Sequence, residues 1–167
     1  DVFIADAVSV QMGQGGAQFQ MLAKNGFDIS VTKKVAVVSG TDISSVSSVS
    51  LETVGVGSVI AIGDLMTVNL GSGGDLTAFG NVHFLGGLQT TLGGEGGVRL
   101  LPNGGRILVR KSFIVTSGNG HDWLEIGEGA AGQTQLRWNA GNGNDAFRLR
   151  SSASLAPTSR RSSTSTF

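Results

Sequence analysis

"GSVIAIGDLMTV" (57–68) and "GDLTAFGNVHFLGGLQTT" (74–91) decide how this chain folds. Both divide into units of six residues that open on glycine, and five residues, "NLGSG" (69–73), separate the two runs. The third position of the units is Val59, Leu65, Leu76, Val82 and Leu88, and the sixth is Ile62, Val68, Phe79, Leu85 and Thr91, so nine of ten are apolar. A strand repeats its faces every two residues and an α-helix every ~3.6, so an apolar spacing of three inside a glycine spacing of six fits neither alone. It fits short strands joined by corners. A parallel β-helix with each unit as one side of a coil satisfies it, as does an intertwined trimer whose chains each add one strand per layer. A run of short hairpins with glycine in the turns also does. In each case the nine apolar residues are the expected core of a shaft, and Gly57, Gly63, Gly74, Gly80 and Gly86 its turns.

Upstream, "VFIADAVSV" (2–10) and "FDISVTKKVAVV" (27–38) are β-branched and partly alternating, which predicts strands. Between them, "GGAQFQMLAKNG" (15–26) sets Ala17, Met21 and Leu22 at helical spacing before Asn25-Gly26, a C-terminal cap signal, and admits one short helix. "TDISSVSSVSLETV" (41–54) reads as extended or irregular, because its apolar residues stand among serines.

Downstream, "RILVRKSFIVTS" (106–117) reads as one long strand. Gly118-Asn-Gly-His-Asp follows, and the same opening recurs at Gly141, 23 residues later. Alternating apolar runs flank both copies, which predicts two glycine-loop hairpins. "SSASLAPTSRRSSTSTF" (151–167) is Ser/Thr/Arg-rich, predicting a tail ordered only by a partner. The expected organisation is a β-rich anchoring or decoration region (1–55), a glycine-hexad shaft with the following strand (56–115), a duplicated hairpin module (116–150) and the tail (151–167).

Composition agrees with a β-rich chain: 27 Gly against 2 Pro among 167 residues, with 6% aromatics. Twelve basic residues balance twelve acidic ones, so the footprint of a nucleic-acid or anionic-membrane binder is missing. The balance is uneven along the chain, −4 up to residue 80 and +4 thereafter. The absence of cysteine excludes disulfides, thiolate metal sites and a cysteine nucleophile. The longest apolar stretches are interrupted by Gly, Ser and Asp, so neither a membrane span nor a signal peptide is expected.

The strongest chemical motif is the glycine loop. "AGNGNDAFR" and "SGNGHDWLE" each match the calcium nonapeptide G-G-x-G-x-D-x-U-x except at one position, making Asp122 and Asp145 calcium candidates. Calcium needs six to eight oxygens, and copies 23 residues apart do not follow one another as the nonapeptide repeat requires. Gly, Asn and Asp are also what any tight turn needs, so Gly118 and Gly141 read as turn glycines and no metal or cofactor is expected. Acid/base chemistry has only His83 and His121, both surface or turn residues in this reading, and Glu125 and Glu128 make a poor carboxylate pair. No phosphate loop, dinucleotide fingerprint or nucleophile elbow is present. No catalytic residue is assigned. Arg137, Arg148 and Arg150 alternate with Trp138, Phe147 and Leu149, which places the arginines on the solvent side as a candidate binding surface for anionic glycans or an acidic neighbour.

"GDLTAFGNVHFLGGLQTTLGG" resembles the G-[DN]-Φ-T-x-x repeats of bacteriophage tail fibres, tail spikes and related trimeric β-fibrous adhesins, over residues 57–91. The segment "DWLEIGEGAAGQTQLRWNAGNGNDAFRLR" is similar in texture to small β-modules of phage fibre proteins. The resemblance implies an all-β, elongated homotrimer without catalysis, located in the virion. Such a protein contacts other virion proteins and a host surface glycan or protein. The hexads also resemble those of left-handed β-helix acyltransferases, with His83 as base, but such enzymes need many uninterrupted coils of about 18 residues. A capsid decoration protein is the other alternative.

Overall fold

The β-branched and alternating stretches become strands, and no described residue is helical. This computed structural model describes residues 1–13, 16–40, 47–71, 73–132, 135–150 and 154–155. In chain order the strands are β1 (Val2–Ile4), β2 (Val8–Gln11) and β3 (Gln18–Lys24), then β4 (Ile29–Val31), β5 (Val35–Val38) and β6 (Ser47–Val54). Next come β7 (Ile60–Ile62), β8 (Met66–Leu70) and β9 (Gly74–Phe79), followed by β10 (Val82–Phe84), β11 (Leu88–Leu92) and β12 (Gly96–Leu101). The series ends with β13 (Ile107–Val109), β14 (Ser112–Thr116) and β15 (Asp122–Ile126), then β16 (Ala130–Gly132), β17 (Gln135–Asn139) and β18 (Ala146–Leu149), and finally β19 (Ser154–Leu155).

Every third strand joins the same sheet. The first sheet runs β1-β4-β7-β10-β13-β16-β19, the second β2-β5-β8-β11-β14-β17 and the third β3-β6-β9-β12-β15-β18. The pairings within them are parallel, so three consecutive strands make one coil and the next coil lies on it in register. The fold is a three-sided parallel β-solenoid. At about 4.8 Å per strand, β1 and β19 are roughly 29 Å apart along the stack. Sequence position therefore becomes height, and the backbone groups of every strand between the first and last of each sheet are paired by the coils on either side.

Alternation then builds the core. Ile60, Val82 and Ile107 stack in one inward column of the first sheet, with Val31, Ile62, Phe84 and Val109 in the next. Val35, Met66, Leu88 and Phe113 do the same in the second sheet, and Val49, Leu76, Val98 and Leu124 in the third. All of these are buried. Each such side chain contributes about 1.5–3 kcal/mol relative to exposure, which is how a chain without disulfides is held.

Several expectations are corrected. Within 15–26, the stretch that admits one short helix, Gln18–Lys24 instead forms β3, because pairing with β6 along seven rungs outweighs a weak helical spacing. Of the stretch read as extended or irregular, Ser47–Val54 is extended: it forms β6, whose burial alternates inward and outward; Ile43 and Val46 lie outside the described residues. The single strand expected over 106–117 is two, β13 and β14, broken by a corner where Lys111 takes φ 63°. Neither copy of the glycine loop makes a hairpin: β14 pairs with β11 and β17, and β15 with β12 and β18, all parallel. The three sheets continue from β4, β5 and β6 directly into β7, β8 and β9, so residues 2–54 belong to the same stack as the hexads.

The tail lies outside the described residues except for β19, which pairs with β16.

Of the expected shaft core, Ile62, Val68, Leu76, Val82 and Leu88 are buried, whereas Val59, Leu65, Phe79 and Leu85 are only half-buried. The inward places beside them belong to Ile60, Met66, Ala78 and Phe84. A coil is also not a fixed multiple of six. Register partners are 22 residues apart from Ile60 to Val82 and 31 apart from Ile29 to Ile60, the difference being taken up at corners.

Candidate functional site: a stacked corner and an arginine face

The two Gly-Asn-Gly-x-Asp segments occupy the corner between the second and third sheets, one directly above the other. Asn119 and Asn142 form a parallel bridge, so the spacing of 23 residues is one coil. Asn142 donates its Nδ2–H to Asn119 Oδ1 at 3.0 Å. Gly141, at φ 77°, sits against the Gly118 carbonyl, where any Cβ would overlap, so glycine is needed both for conformation and for approach. Of the other turn glycines, Gly57, Gly74 and Gly80 have φ of 87°, 148° and 84°. At Gly63 and Gly86 a Cβ would overlap the backbone of Thr32 and Asp64, one coil away.

The aspartates fasten coils to one another rather than closing their own loops. Asp122 Oδ1 accepts from the Gly96 amide at 3.1 Å, and Asp145 Oδ1 accepts from the Asp122 amide at 3.1 Å. Asp122 is only 1% exposed, and its Oδ2 has no hydrogen-bond partner. Burial, reinforced by the neighbouring Asp145 and Glu95 carboxylates, pushes its pKa up to about 6. Stacking does supply the adjacent copy that calcium would need. Even so, among the described residues no group of three or more His, Cys, Asp or Glu side chains is arranged to hold a metal ion.

The arginines lie elsewhere. On the outward side of the third sheet, Glu125 is register partner to Arg99 below and Arg148 above. Arg150 donates from Nε and Nη2 to Glu125 Oε1 at 3.0 and 2.7 Å. Arg148 Nη1 is 3.9 Å from the same oxygen and Arg99 Nε is 3.8 Å from Oε2. The Arg99 guanidinium lies 4.1 Å from the centroid of the Trp123 ring, whose indole covers Gly97, where a Cβ would overlap it. Asp75, in register with Gly97, borders this group; burial raises its pKa against the pull of Arg99. Three guanidiniums thus surround a single carboxylate that is 15% exposed, leaving the arginine heads toward solvent. Arg137 is exposed too, but on β17 of the second sheet, so it does not join Arg148 and Arg150.

The sequence reading missed Arg99, Trp123 and Glu125 as members of this face. The signal was available: the 23-residue offset between the glycine loops also carries Glu125 onto Arg148. Of the histidines, His83 stands between Ala61 and Leu108 on the outward side of the first sheet. Burial, with Arg106 and Arg110 nearby, holds its pKa below the usual histidine value. His121 Nδ1 lies 3.3 Å from the Asn144 carbonyl oxygen.

No protein-family model matches the chain, and neither a curated protein nor a solved structure shows significant similarity to it.

Proposed function

We propose that the chain is a non-catalytic segment of a fibre- or spike-like virion protein. In this reading it is a homotrimer that joins other virion proteins and attaches the particle to a host surface. The observation that carries the attachment reading is the excess of guanidinium over carboxylate around Glu125, displayed on the outward side of a parallel sheet. A solenoid suits the role because β18, which carries Arg148, is paired along its length to β15 in the coil beneath, and the Arg150 amide donates to the Ile126 carbonyl of that coil, so little backbone freedom is lost on binding. Arginine forks match carboxylate and sulfate groups of acidic glycans.

Immobilised heparin, an acidic glycan, and dextran, a neutral one, test the surface. The chain is expected to be retained on heparin at low salt and released by the charge reversals Arg148→Glu and Arg150→Glu; equal retention of parent and variant overturns the assignment. Sedimentation equilibrium tests the assembly, with a mass about three times the 17.1 kDa of one chain expected. No observation favours the acyltransferase alternative: coils of 22 to 31 residues differ from the roughly 18 that its hexapeptide repeat implies.

A further inference from the structure

The corner leading from the third sheet back to the first is crossed after β3, β6, β9, β12 and β15. Its later crossings present polar or charged residues: Asn81, Asn103 and Arg106, then Glu128. The first two present Phe27 and Val56. Val56 is 97% exposed and Phe27 61%, and beside them Val54 and Phe3, the latter 71% exposed, are also turned to solvent, whereas Val2 begins the inward column of Ile29 and Ile60 and is exposed at the open end of the stack. Of the described residues, the only other large hydrophobics so exposed are Val38 and Leu149.

The backbone holds these side chains outward. Val56 stands between Gly55 and Gly57, at φ 89° and 87°, and Phe27 follows Asn25 and Gly26, at φ 57° and 80°. The two turns are fastened together: the Asn25 amide donates to the Val54 carbonyl at 3.1 Å, and the Gly26 amide to Ser58 Oγ at 2.9 Å. The Val2 amide donates to the Asp28 carbonyl at 2.8 Å, bringing β1 against the same corner. An apex fixed in this way cannot fold its apolar side chain back into the core, so the surface is satisfied only by another surface.

We infer that this corner is the contact through which copies of the chain associate side by side, three corners meeting about a common axis. The inference rests on the trimeric reading above and adds where the copies touch. The four outward side chains, Phe3, Phe27, Val54 and Val56, expose roughly 400 Å², within the range of a monomer's largest apolar patch and about half of the ~800 Å² that a stable interface buries per partner. Phe27 and Val56 themselves are uncharged, and the charges that flank them, Lys24 in register with Val54 and Asp28 after Phe27, are of opposite sign, so identical corners meet without net repulsion. The charged crossings farther along the stack would meet like against like, which confines the contact to this end.

The test is sedimentation equilibrium of the parent chain, Val56→Ser, the double variant Phe27→Ser/Val56→Ser, and Val38→Ser as a control on a different sheet. The parent and V38S are expected to be trimers, and the double variant to dissociate at roughly 100-fold higher concentration, with V56S intermediate. V56S alone keeps the test valid if the double variant fails to fold, because its side chain is almost wholly outside the protein. A double variant that folds and trimerises as tightly as the parent overturns the corner as the contact while leaving the trimer standing. A parent chain that is monomeric at every concentration overturns both.

Discussion

The side-chain amide of Asn142 donates to that of Asn119 at 3.0 Å, and the main chains of the two residues are bridged on the same rung. A sequence motif that suggested a calcium loop is thereby a rung of an asparagine ladder, tying two coils at an exposed corner. Asn142→Ala removes one neutral, solvent-accessible hydrogen bond and is expected to lower stability by about 1 kcal/mol, read as a lower urea midpoint with unchanged slope. Addition of EDTA is expected to leave the melting temperature of the parent chain unchanged. A rise in melting temperature with added calcium would return the corner to the metal-binding reading.

Asp122 gives the corner a pH dependence. Its folded pKa is raised from 3.8 to about 6, so the folded state holds the proton more tightly than the unfolded chain does. Between pH 3.8 and about 6 the unfolded chain ionises first, and stability falls as pH rises through that window and then levels off. Asp122→Asn keeps an acceptor for the Gly96 amide and removes the charge. It is expected to raise stability by about 1–3 kcal/mol at pH 7, or several degrees in melting temperature, and to change little below pH 4. A variant that melts lower than the parent at pH 7 would show that the carboxylate is satisfied there.

Much of the fold was legible because parallel coils leave short-range marks. The five glycine-opened units correspond to β7 through β11, five successive sides of the solenoid. Their core was only half legible. Inward residues sit at even positions in the first two units (Ile60, Ile62, Met66, Val68) and again, after the break, at even positions from Leu76 to Leu88 (Leu76, Ala78, Val82, Phe84, Leu88). Numbered within each unit, however, these are the fourth and sixth residues before the five-residue interruption at 69–73 and the third and fifth after it. A strand alternates every two residues, so an odd insertion reverses which places of a six-residue unit face in. A rule of every third residue averages over the reversal and takes in Val59, Leu65, Phe79 and Leu85, which flank it. The arginine face was legible in part. Alternation placed Arg148 and Arg150 outward, but joining them to Glu125 and Arg99 requires the lengths of two coils, which differ.

Glycines at corners are not equivalent, and two of them separate conformation from space. Gly141 lies at φ 77° with the Gly118 carbonyl where a Cβ would stand, whereas Gly13 has nothing within 4 Å and no positive φ. Gly141→Ala is expected to destabilise by about 2 kcal/mol or more, through backbone strain and separation of the two coils. Gly13→Ala is expected to be neutral or to stabilise by up to about 1 kcal/mol, because it restricts the unfolded chain. Chemical denaturation of the two variants side by side distinguishes them, and equal effects would refute the role given to coil contact at Gly141.

Glu125 is the residue on which the arginine face depends. Arg150 reaches it with two donors and Arg99 and Arg148 approach within 4 Å, so its charge offsets three guanidiniums that otherwise repel one another. Glu125→Gln preserves size and one acceptor but leaves those charges uncompensated. It is expected to lower stability by about 1 kcal/mol at low ionic strength, with the loss shrinking toward zero near 1 M salt as screening sets in. Retention on heparin should move the other way, because removing the carboxylate frees the arginines for an anionic partner. Weaker heparin retention in E125Q would mean that Glu125 holds the arginines in their binding geometry rather than competing for them.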